Sequence, residues 1–309
     1  MPKNILITGA NAGLGKESAR QFAMQDGAEK IYLGVRNLER GHAAKVELEE
    51  STGKFIFEVF LIDVSNITSA KQAAKNLKEP IDALVLNAGG IGGKTPLAKN
   101  RYGVMDIVAH NLIGHATLVD ALIAEEKLAG VVIYAGSEAA RGIKKFGIAR
   151  PSLKTHSTEE LQAVLNGSYF NEGPDPMTVY AYVKQVAALW MSAMARKYPR
   201  IRFVTVSPGG TTGTDAAKNA NVMFKFLMRT APGKALGRML GLTHDLSEGA
   251  KRYVDVVNDE SYKTGHFYAS NDPKAAIGGL SDQAEFYDIF NNTQYQDNAD
   301  NALHSFLSN

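Results

Sequence analysis

Tyr180 and Lys184 are four residues apart, so in a helix their side chains lie on one face. A free phenol has a pKa of about 10 and is a poor base at neutral pH, but a nearby ammonium group favours the phenolate. The pair can therefore act as an acid and base. The alternative is an aromatic core residue beside a solvated lysine. We interpret Tyr182 in that way, because no lysine follows it after four residues.

A glycine-rich segment, residues 8–15, is a second candidate site. It follows a short apolar run and leads into a stretch with helical spacing, a position in which glycines let helical N–H groups approach a pyrophosphate. Such a cluster can also serve packing alone. The residues that we expect to bind a dinucleotide here are Gly9, Asn11, Ala12, Gly13, Leu14 and Gly15.

Two polar residues are candidates to assist Tyr180. Ser137 follows an apolar run typical of a buried strand, and ligands bind at the carboxyl ends of parallel strands. Its hydroxyl could donate to a substrate carbonyl oxygen that gains negative charge, although serine is also common in turns. Asn111 lies in an apolar helical segment, where backbone groups alone could satisfy its amide.

Arg36 indicates which dinucleotide the site prefers. The second predicted strand ends at Val35-Arg36-Asn37, without an acidic residue. NAD enzymes place an acid there to bind the adenosine ribose, whereas a guanidinium suits the 2′-phosphate of NADP(H). We therefore expect NADP(H), with Arg40 one turn later as a candidate to assist.

Strand and helix patterns alternate along the chain. Short apolar runs predict strands at 4–8, 30–35, 55–61, 83–86, 131–135 and 202–206. Helical spacing of apolar residues predicts helices at 15–24, 40–48, 70–77, 105–123 and 180–198. This order predicts an α/β fold: one doubly wound, Rossmann-like parallel sheet with helices on both faces, forming a single domain over residues 1–309.

Two segments interrupt the alternation. Residues 142–177 are rich in Gly, Pro, Ser and charge, with a helix-like patch at 158–165, and they predict a long insertion before the Tyr180 helix. Residues 211–245 contain an amphipathic patch at 222–228. We expect that patch to form a lid over the substrate rather than a membrane anchor.

The remaining motifs follow in register with the predicted elements. Asp63-Val64 closes the third strand, Asn87-Ala88-Gly89 closes the fourth, and Pro208-Gly209 ends the sixth. With Thr-Gly-x-x-x-Gly-x-Gly and the Asn111, Ser137, Tyr180 and Lys184 set, the order over residues 3–268 resembles the short-chain dehydrogenase/reductase family.

That resemblance implies roles for further residues. Asp63 and Val64 would hold the adenine, Asn87, Ala88 and Gly89 would lie near the ribose, and the segment after Pro208-Gly209 would close on the nicotinamide. Thr212 and Thr214 are candidate nicotinamide contacts. Lys184 would bind the nicotinamide ribose, and Asn111 would bend its helix and hold a water that passes protons to Lys184.

A narrower resemblance concerns the branch of the family. Residues 100–103 and 110–115 resemble retinol dehydrogenases, carbonyl reductases and light-dependent protochlorophyllide reductases. The chain departs from these patterns in having no cysteine, Gly213 in place of a threonine, and Gly136 in place of the first serine of a pair.

Three hypotheses follow from these residues. The first is an NADP(H)-dependent enzyme that transfers a hydride between nicotinamide and a carbonyl, alcohol or conjugated double bond of a fairly large hydrophobic substrate. The second is a light-dependent protochlorophyllide reductase. The third is a non-catalytic NADP(H) sensor, which we rank last because Tyr180 and Lys184 are both present.

Composition excludes several other classes. The 34 basic and 32 acidic residues are well mixed, which argues against a nucleic-acid partner. The absence of cysteine excludes disulfides and thiolate metal sites, and the seven histidines do not have metal-ligand spacing. We see no signal peptide and no apolar stretch that could span a bilayer, and we expect a cytoplasmic protein without stable membrane insertion.

We expect a monomer. Most members of the family pair through the helices that correspond here to 105–123 and 180–198. The insertion enters the second of these at its start, where it is well placed to cover the exposed faces of both.

Overall fold

The computed structural model describes residues 1–93, 95–171, 173–213 and 230–307. The strands are β1 (Asn4–Thr8), β2 (Lys30–Val35), β3 (Phe57–Leu61), β4 (Ile81–Leu86), β5 (Leu128–Ala135), β6 (Ile201–Val206), β7 (Phe267–Ser270) and β8 (Leu280–Asp282). The helices are α1 (Gly13–Ala23), α2 (Leu38–Thr52), α3 (Ile67–Asn76), α4 (Asp106–Val108), α5 (Gly114–Ala124), α6 (Thr158–Asn166), α7 (Pro176–Lys197), α8 (Ala231–Met239), α9 (Leu246–Asn258) and α10 (Thr293–His304).

The strands form one sheet in the order β3-β2-β1-β4-β5-β6-β7-β8. All neighbouring strands are parallel except β7 and β8, which are antiparallel. Buried apolar side chains form a core on each face of the sheet, as helices on both sides require. The predicted Rossmann-like α/β fold is confirmed, with an antiparallel edge strand that the sequence patterns did not indicate.

All six predicted strands exist, but their bounds differ. The third begins at Phe57 rather than residue 55, because Phe55 is 82% exposed and contributes nothing to the core. The fourth and fifth begin earlier, at Ile81 and Leu128. Five elements were not predicted, namely α8, α9, β7, β8 and α10.

The predicted helix 105–123 contains a π-helical turn. Residues Ala109–Ile113 form this turn between α4 and α5.

By length and composition residues 106–124 could span a membrane, so the expectation that no such stretch exists is wrong. Because 72% of that stretch is buried inside the protein, its apolar character is accounted for by the core.

The helix that carries Tyr180 begins one turn earlier than predicted. Pro176 occupies its first turn and the Asp175 side chain accepts a hydrogen bond from the Thr178 N–H, which together begin the helix at 176. Residues 183–195 are all buried within the single chain. The helix α10, which the sequence analysis missed, packs along α7, and α6 of the insertion packs against α10. The exposed face of α7 is therefore covered by α10 together with α6 of the insertion, and not by the insertion alone.

The insertion is ordered by local hydrogen bonds. The Glu160 carboxylate accepts bonds from the N–H groups of Lys154, Thr155 and His156, each at 2.8 Å. These bonds lower the pKa of Glu160 to about 2, against the effect of burial. Residues 142–177 thus form a folded segment around α6. The proposed lid patch 222–228 lies outside the described residues.

A partly buried ion-pair cluster holds α10 against α5. His304 Nε2 lies 3.0 Å from Asp120 Oδ2, and its Nδ1 lies 2.9 Å from Asp300 Oδ1. The two carboxylates raise the pKa of His304 to about 10. A histidine with a raised folded-state pKa stabilises the fold fully below its unfolded pKa of about 6.5, and this contribution is lost as the pH rises towards 10.

We predict that His304→Gln lowers the free energy of unfolding by about 1–2 kcal/mol at pH 6 and by much less at pH 10. Urea unfolding at the two pH values measures the difference. His42→Gln, on the exposed side of α2, is the control and should change stability little at either pH. An equal loss at both pH values would mean that the His304 charge does not stabilise α10.

Candidate active site

A cleft of about 840 Å³ opens at the carboxyl ends of the strands. It is lined by the turns after β1, β2, β3, β4, β5 and β6, together with the start of α7 and part of the insertion. Ligands in open α/β sheets bind in this position. All but three of the predicted site residues line it, and the exceptions are Gly15, Asn111 and Thr212.

The glycine-rich turn leaves helical N–H groups free for an anion. Gly9 has a φ of +69° and its N–H donates to the Gly34 carbonyl at 2.8 Å, which turns the chain away from β1. Helix α1 then begins at Gly13 with no side-chain cap and no acidic residue in its first turn. The unpaired N–H groups and the helix dipole therefore point into the cleft, where they suit a pyrophosphate.

Gly15 does not line the cleft but is required for close packing. A Cβ atom there would lie 2.5 Å from the Gly9 oxygen and 2.6 Å from the Asn87 side-chain nitrogen. Both distances are shorter than the 3.0 Å below which real Cβ contacts essentially never occur. Gly15 therefore brings α1 against the turn after β4.

Thr8 and His115 fix the turns after β1 and β4. The Thr8 hydroxyl oxygen accepts from the N–H groups of Asn87 and Ala88 at 2.9 and 3.0 Å, and it lies 3.0 Å from His115 Nε2. His115 Nδ1 lies 3.0 Å from the Asn111 carbonyl, which can only accept, so Nδ1 carries the proton. Burial lowers the pKa of His115 to about 3 and keeps it neutral. His115 is thus a structural residue.

The turn after β3 forms one wall of the cleft. Asp63 Oδ1 accepts from the Ser65 N–H at 2.9 Å, which shapes this turn, and Val64 follows at the wall of the cleft. A Cβ atom at Gly114 would lie 2.0 Å from the Val64 oxygen, so only glycine lets α5 pass beneath it. Asp63 and Val64 both line the cleft, and their binding of adenine stays a prediction.

Two guanidinium groups stand at the end of β2. Arg36 and Arg40 both line the cleft and are exposed, and Asn37 caps α2 between them by accepting from the Arg40 N–H at 2.9 Å. Within residues 1–93, 95–171, 173–213 and 230–307, no carboxylate pairs with either side chain. Both are therefore available to a phosphate group.

Tyr180, Ser137 and Lys184 meet in the cleft. Lys184 Nζ lies 5.4 Å from the centre of the Tyr180 ring, and the Ser137 hydroxyl forms a hydrogen bond with Tyr180. Ser137 Oγ also accepts from the Ala139 N–H at 3.2 Å, which fixes its orientation. Gly136 before it is required because a Cβ atom there would lie 2.8 Å from Thr205 Cγ2.

The pKa values of this pair differ from the expectation. Burial raises the pKa of Tyr180 above its ordinary value, more than the hydrogen bond from Ser137 lowers it. Burial also lowers the pKa of Lys184 to about 7. The predicted lowering of the Tyr180 pKa by the ammonium is therefore outweighed, because desolvation disfavours both charged forms. Tyr180 is thus held as a neutral phenol that can donate a proton.

Asn111 lies behind the cleft, in the π-helical turn. Its Nδ2 donates to the Gly90 and Ile107 carbonyls, both at 2.7 Å, and its Oδ1 accepts from the Gly90 N–H at 3.1 Å. Its side chain thus clamps the loop after β4, and a Cβ atom at Gly89 would lie 2.5 Å from Oδ1. The backbone oxygen of Asn111 accepts from Tyr134, which no sequence motif indicated.

The turn after β6 approaches the cleft through its backbone. Gly209 has a φ of +77°, and the Gly210 N–H donates to the Ala276 carbonyl at 2.8 Å. Thr212 turns away, because its hydroxyl donates to the His244 carbonyl at 3.1 Å, and Thr211 lines the cleft instead. The assignment of Thr212 as a nicotinamide contact is therefore not supported by its position, and Thr214 lies outside the described residues.

Two features of the cleft were not predicted. Ile143, Ile148 and Met177 of the insertion form an apolar wall beside Tyr180. The fully buried hydroxyl of Tyr253 in α9 has no hydrogen-bond partner among the described residues, and Tyr253 also lines the cleft. A polar atom in this situation is suited to a ligand, because an unsatisfied buried group is costly.

A buried ion pair supports the turn that carries Ser137. Arg252 NH1 lies 3.4 Å from Glu138 Oε1, and the Ser207 hydroxyl donates to the same carboxylate. Arg252 also donates to the Ser207 carbonyl at 3.1 Å. The pair ties the ends of β5 and β6 together, and no short motif signals it because its members are far apart in sequence.

Comparison with known proteins supports the same family. The family model described as short chain dehydrogenase matches residues 3–149. Human retinol dehydrogenase 11 is 33% identical over 129 residues, which cover 41% of this chain and 39% of that protein. In matches to three further curated short-chain dehydrogenases, the chain spans only 27% to 28% of the relative's length.

Solved structures show the same fold over most of the chain. A short chain dehydrogenase from Shigella flexneri complexed with NADP has a TM-score of 0.59 and 22% identity, covering 86% of this chain and 95% of that one. An NADPH-bound carbonyl reductase from chicken fatty liver has a TM-score of 0.58 and 17% identity, with the same coverage of both chains. Residues 3–149 of the chain are thus similar in sequence to short chain dehydrogenases, and most of the chain shares the fold of solved short-chain dehydrogenases.

Proposed function

We propose that the protein is an NADP(H)-dependent reductase of a carbonyl group in a fairly large hydrophobic substrate. The observation that carries this proposal is the meeting of Ser137, Tyr180 and Lys184 in one cleft with the glycine-rich turn and with Arg36 and Arg40. The apolar wall of the insertion supports a hydrophobic substrate, because it lies beside Tyr180 where the reacting group must be placed.

The residues present fit a dinucleotide. The uncapped start of α1 suits the pyrophosphate, Arg36 and Arg40 suit a 2′-phosphate, and the orphaned Tyr253 hydroxyl offers a polar contact deep in the cleft. When bound, NADPH supplies the hydride. The Ser137 hydroxyl then donates to the carbonyl oxygen as it gains negative charge, and Tyr180 gives that oxygen its proton.

The raised pKa of Tyr180 keeps the phenol in the protonated form that reduction of a carbonyl needs. At neutral pH a phenol whose pKa is raised keeps its proton, and so it serves as an acid more readily than as a base. The Lys184 ammonium, over the face of the Tyr180 ring, stabilises the phenolate that forms when the proton leaves.

The experiment that tests this function is NADPH oxidation by the purified protein with a panel of hydrophobic aldehydes and ketones, in darkness and in light. We expect oxidation in darkness that depends on both substrate and protein. Binding of NADPH without turnover of any carbonyl would contradict the proposal. Turnover that requires light and a bound pigment would support the protochlorophyllide reductase alternative instead.

We also propose that the protein is a monomer. The helices through which most family members pair correspond to α5 and α7, and residues 183–195 of α7 are buried within the single chain. A symmetric contact through these helices would require α10 to move. Light scattering at micromolar concentration should give a mass near 33.4 kDa, and a dimer mass would contradict the prediction.

A further inference from the structure

Tyr134 lies on β5, directly behind the active site. Its hydroxyl oxygen lies 3.1 Å from Lys184 Nζ and 3.0 Å from the backbone oxygen of Asn111. Tyr134, Lys184 and Asn111 are all buried. An ammonium can only donate and a carbonyl can only accept, so Lys184 donates to the hydroxyl and the hydroxyl donates to Asn111.

These contacts orient the ammonium group of Lys184. One of its N–H groups donates to the Ala135 carbonyl at 2.8 Å and a second donates to Tyr134. The same nitrogen lies 4.6 Å from the centre of the Tyr134 ring, within the range of a cation–π contact. Because Lys184 lines the cleft, its third N–H is left for Tyr180 and the ligand.

The ring of Tyr134 is itself held in place. It packs edge-on against His115 at 6.0 Å and against Trp190 at 6.3 Å, measured between ring centres. Its two hydrogen bonds join Lys184 to the Asn111 carbonyl, which also accepts from His115. A continuous chain of hydrogen bonds therefore runs from the lysine through His115 to Thr8 and the turns that hold the dinucleotide.

We propose that Tyr134 is a positioning residue that holds the Lys184 ammonium towards Tyr180 and makes the hydrogen bonds that the family resemblance assigned to a water on Asn111. Its effect on turnover rests on the function proposed above, whereas its effect on Lys184 does not. A hydroxyl on a packed ring is fixed in place without the entropy cost of ordering a water.

Two hydrogen-bond acceptors stabilise the charged form of Lys184. Among the described residues no carboxylate pairs with it, so the hydroxyl of Tyr134 and the Ala135 carbonyl are the acceptors that stabilise its ammonium form. Burial already lowers the pKa of Lys184 to about 7. Removal of one acceptor should lower that pKa further, because the charged form loses a hydrogen bond and the neutral form does not need it.

Burial keeps His115, Tyr180 and Tyr253 in their neutral forms near pH 7. His115 stays neutral because burial lowers its pKa to about 3, and burial raises the pKa values of Tyr180 and Tyr253. Among these groups, the one whose pKa lies near 7 is Lys184.

The test is an NMR titration of the protein labelled with 13C at the lysine Cε position. The resonance of Lys184 is identified by its loss in Lys184→Arg. We expect Tyr134→Phe to lower the pKa of Lys184 by about one unit, the size expected for one hydrogen bond to a charged group. Tyr182→Phe is the matched control, because its hydroxyl bonds to Ser152 outside the cleft, and it should leave the pKa unchanged.

An unchanged pKa of Lys184 in Tyr134→Phe would overturn the proposal. The variant is expected to fold, because the ring stays in place and the Asn111 oxygen keeps its bond from His115, and thermal melting verifies this. In the active protein the alkaline limb of kcat/KM against pH should move to lower pH by the same amount. If Tyr134→Phe shifts the pKa of Lys184 but the intact protein reduces no carbonyl, the positioning role is supported and the proposed function is contradicted. If the intact protein reduces carbonyls but Tyr134→Phe does not shift the pKa of Lys184, the proposed function is supported and the positioning role is contradicted.

Discussion

Tyr180→Phe is expected to lower kcat by about 10²- to 10⁴-fold, the range for the loss of a positioned general acid. The aromatic ring remains, so the shape of the cleft and the binding of NADPH should change little. Steady-state kinetics give kcat, and fluorescence titration gives the dissociation constant for NADPH. Near-normal turnover by this variant would contradict the mechanism.

Two further variants separate chemistry from binding. Tyr182→Phe makes the same chemical change on the same helix, but its hydroxyl bonds to Ser152, so kcat should stay close to that of the intact protein. Lys184→Ala should lower both kcat and NADPH affinity, because the lysine lies against Tyr180 and also lines the cleft.

Arg36→Asp is expected to reverse the preference for NADPH over NADH. Hydrogen bonds between a guanidinium and the 2′-phosphate contribute about 1.5–3 kcal/mol, so their loss alone weakens NADPH binding by about 10- to 150-fold. The introduced carboxylate also repels the phosphate and can accept from a free ribose hydroxyl. Dissociation constants for both cofactors, measured by calorimetry, check the result.

The control for this reversal is Lys45→Asp, which makes a similar change of charge on α2 outside the cleft. It should leave the ratio of the two affinities unchanged. Arg40→Ala should weaken NADPH binding less than Arg36→Ala if Arg40 only assists. Equal affinities for NADPH and NADH in the intact protein would contradict the assignment of Arg36.

The sequence by itself determined the order of the first six strands and of the main helices between them, and the residues at the ends of those strands. Apolar runs and helical spacing are local properties, so the six predicted strands were found at nearly the expected positions. The ends of parallel strands meet at one edge of the sheet, and for this reason Asp63, Asn87 and Ser137 could be assigned to one cleft. Tyr180 and Lys184 were identifiable because their spacing matches a helical turn.

Only the tertiary structure decided which side chains meet across elements. Tyr134 and Lys184 are 50 residues apart, and α10 reaches α7 from the end of the chain, so no local pattern indicates either contact. Thr211 lines the cleft and Thr212 does not, because the Thr212 hydroxyl is turned away by its hydrogen bond to the His244 carbonyl. The pKa values of Tyr180 and Lys184 likewise follow from burial, because the cost of removing a charge from water depends on the whole surrounding fold and not on the spacing of the two residues.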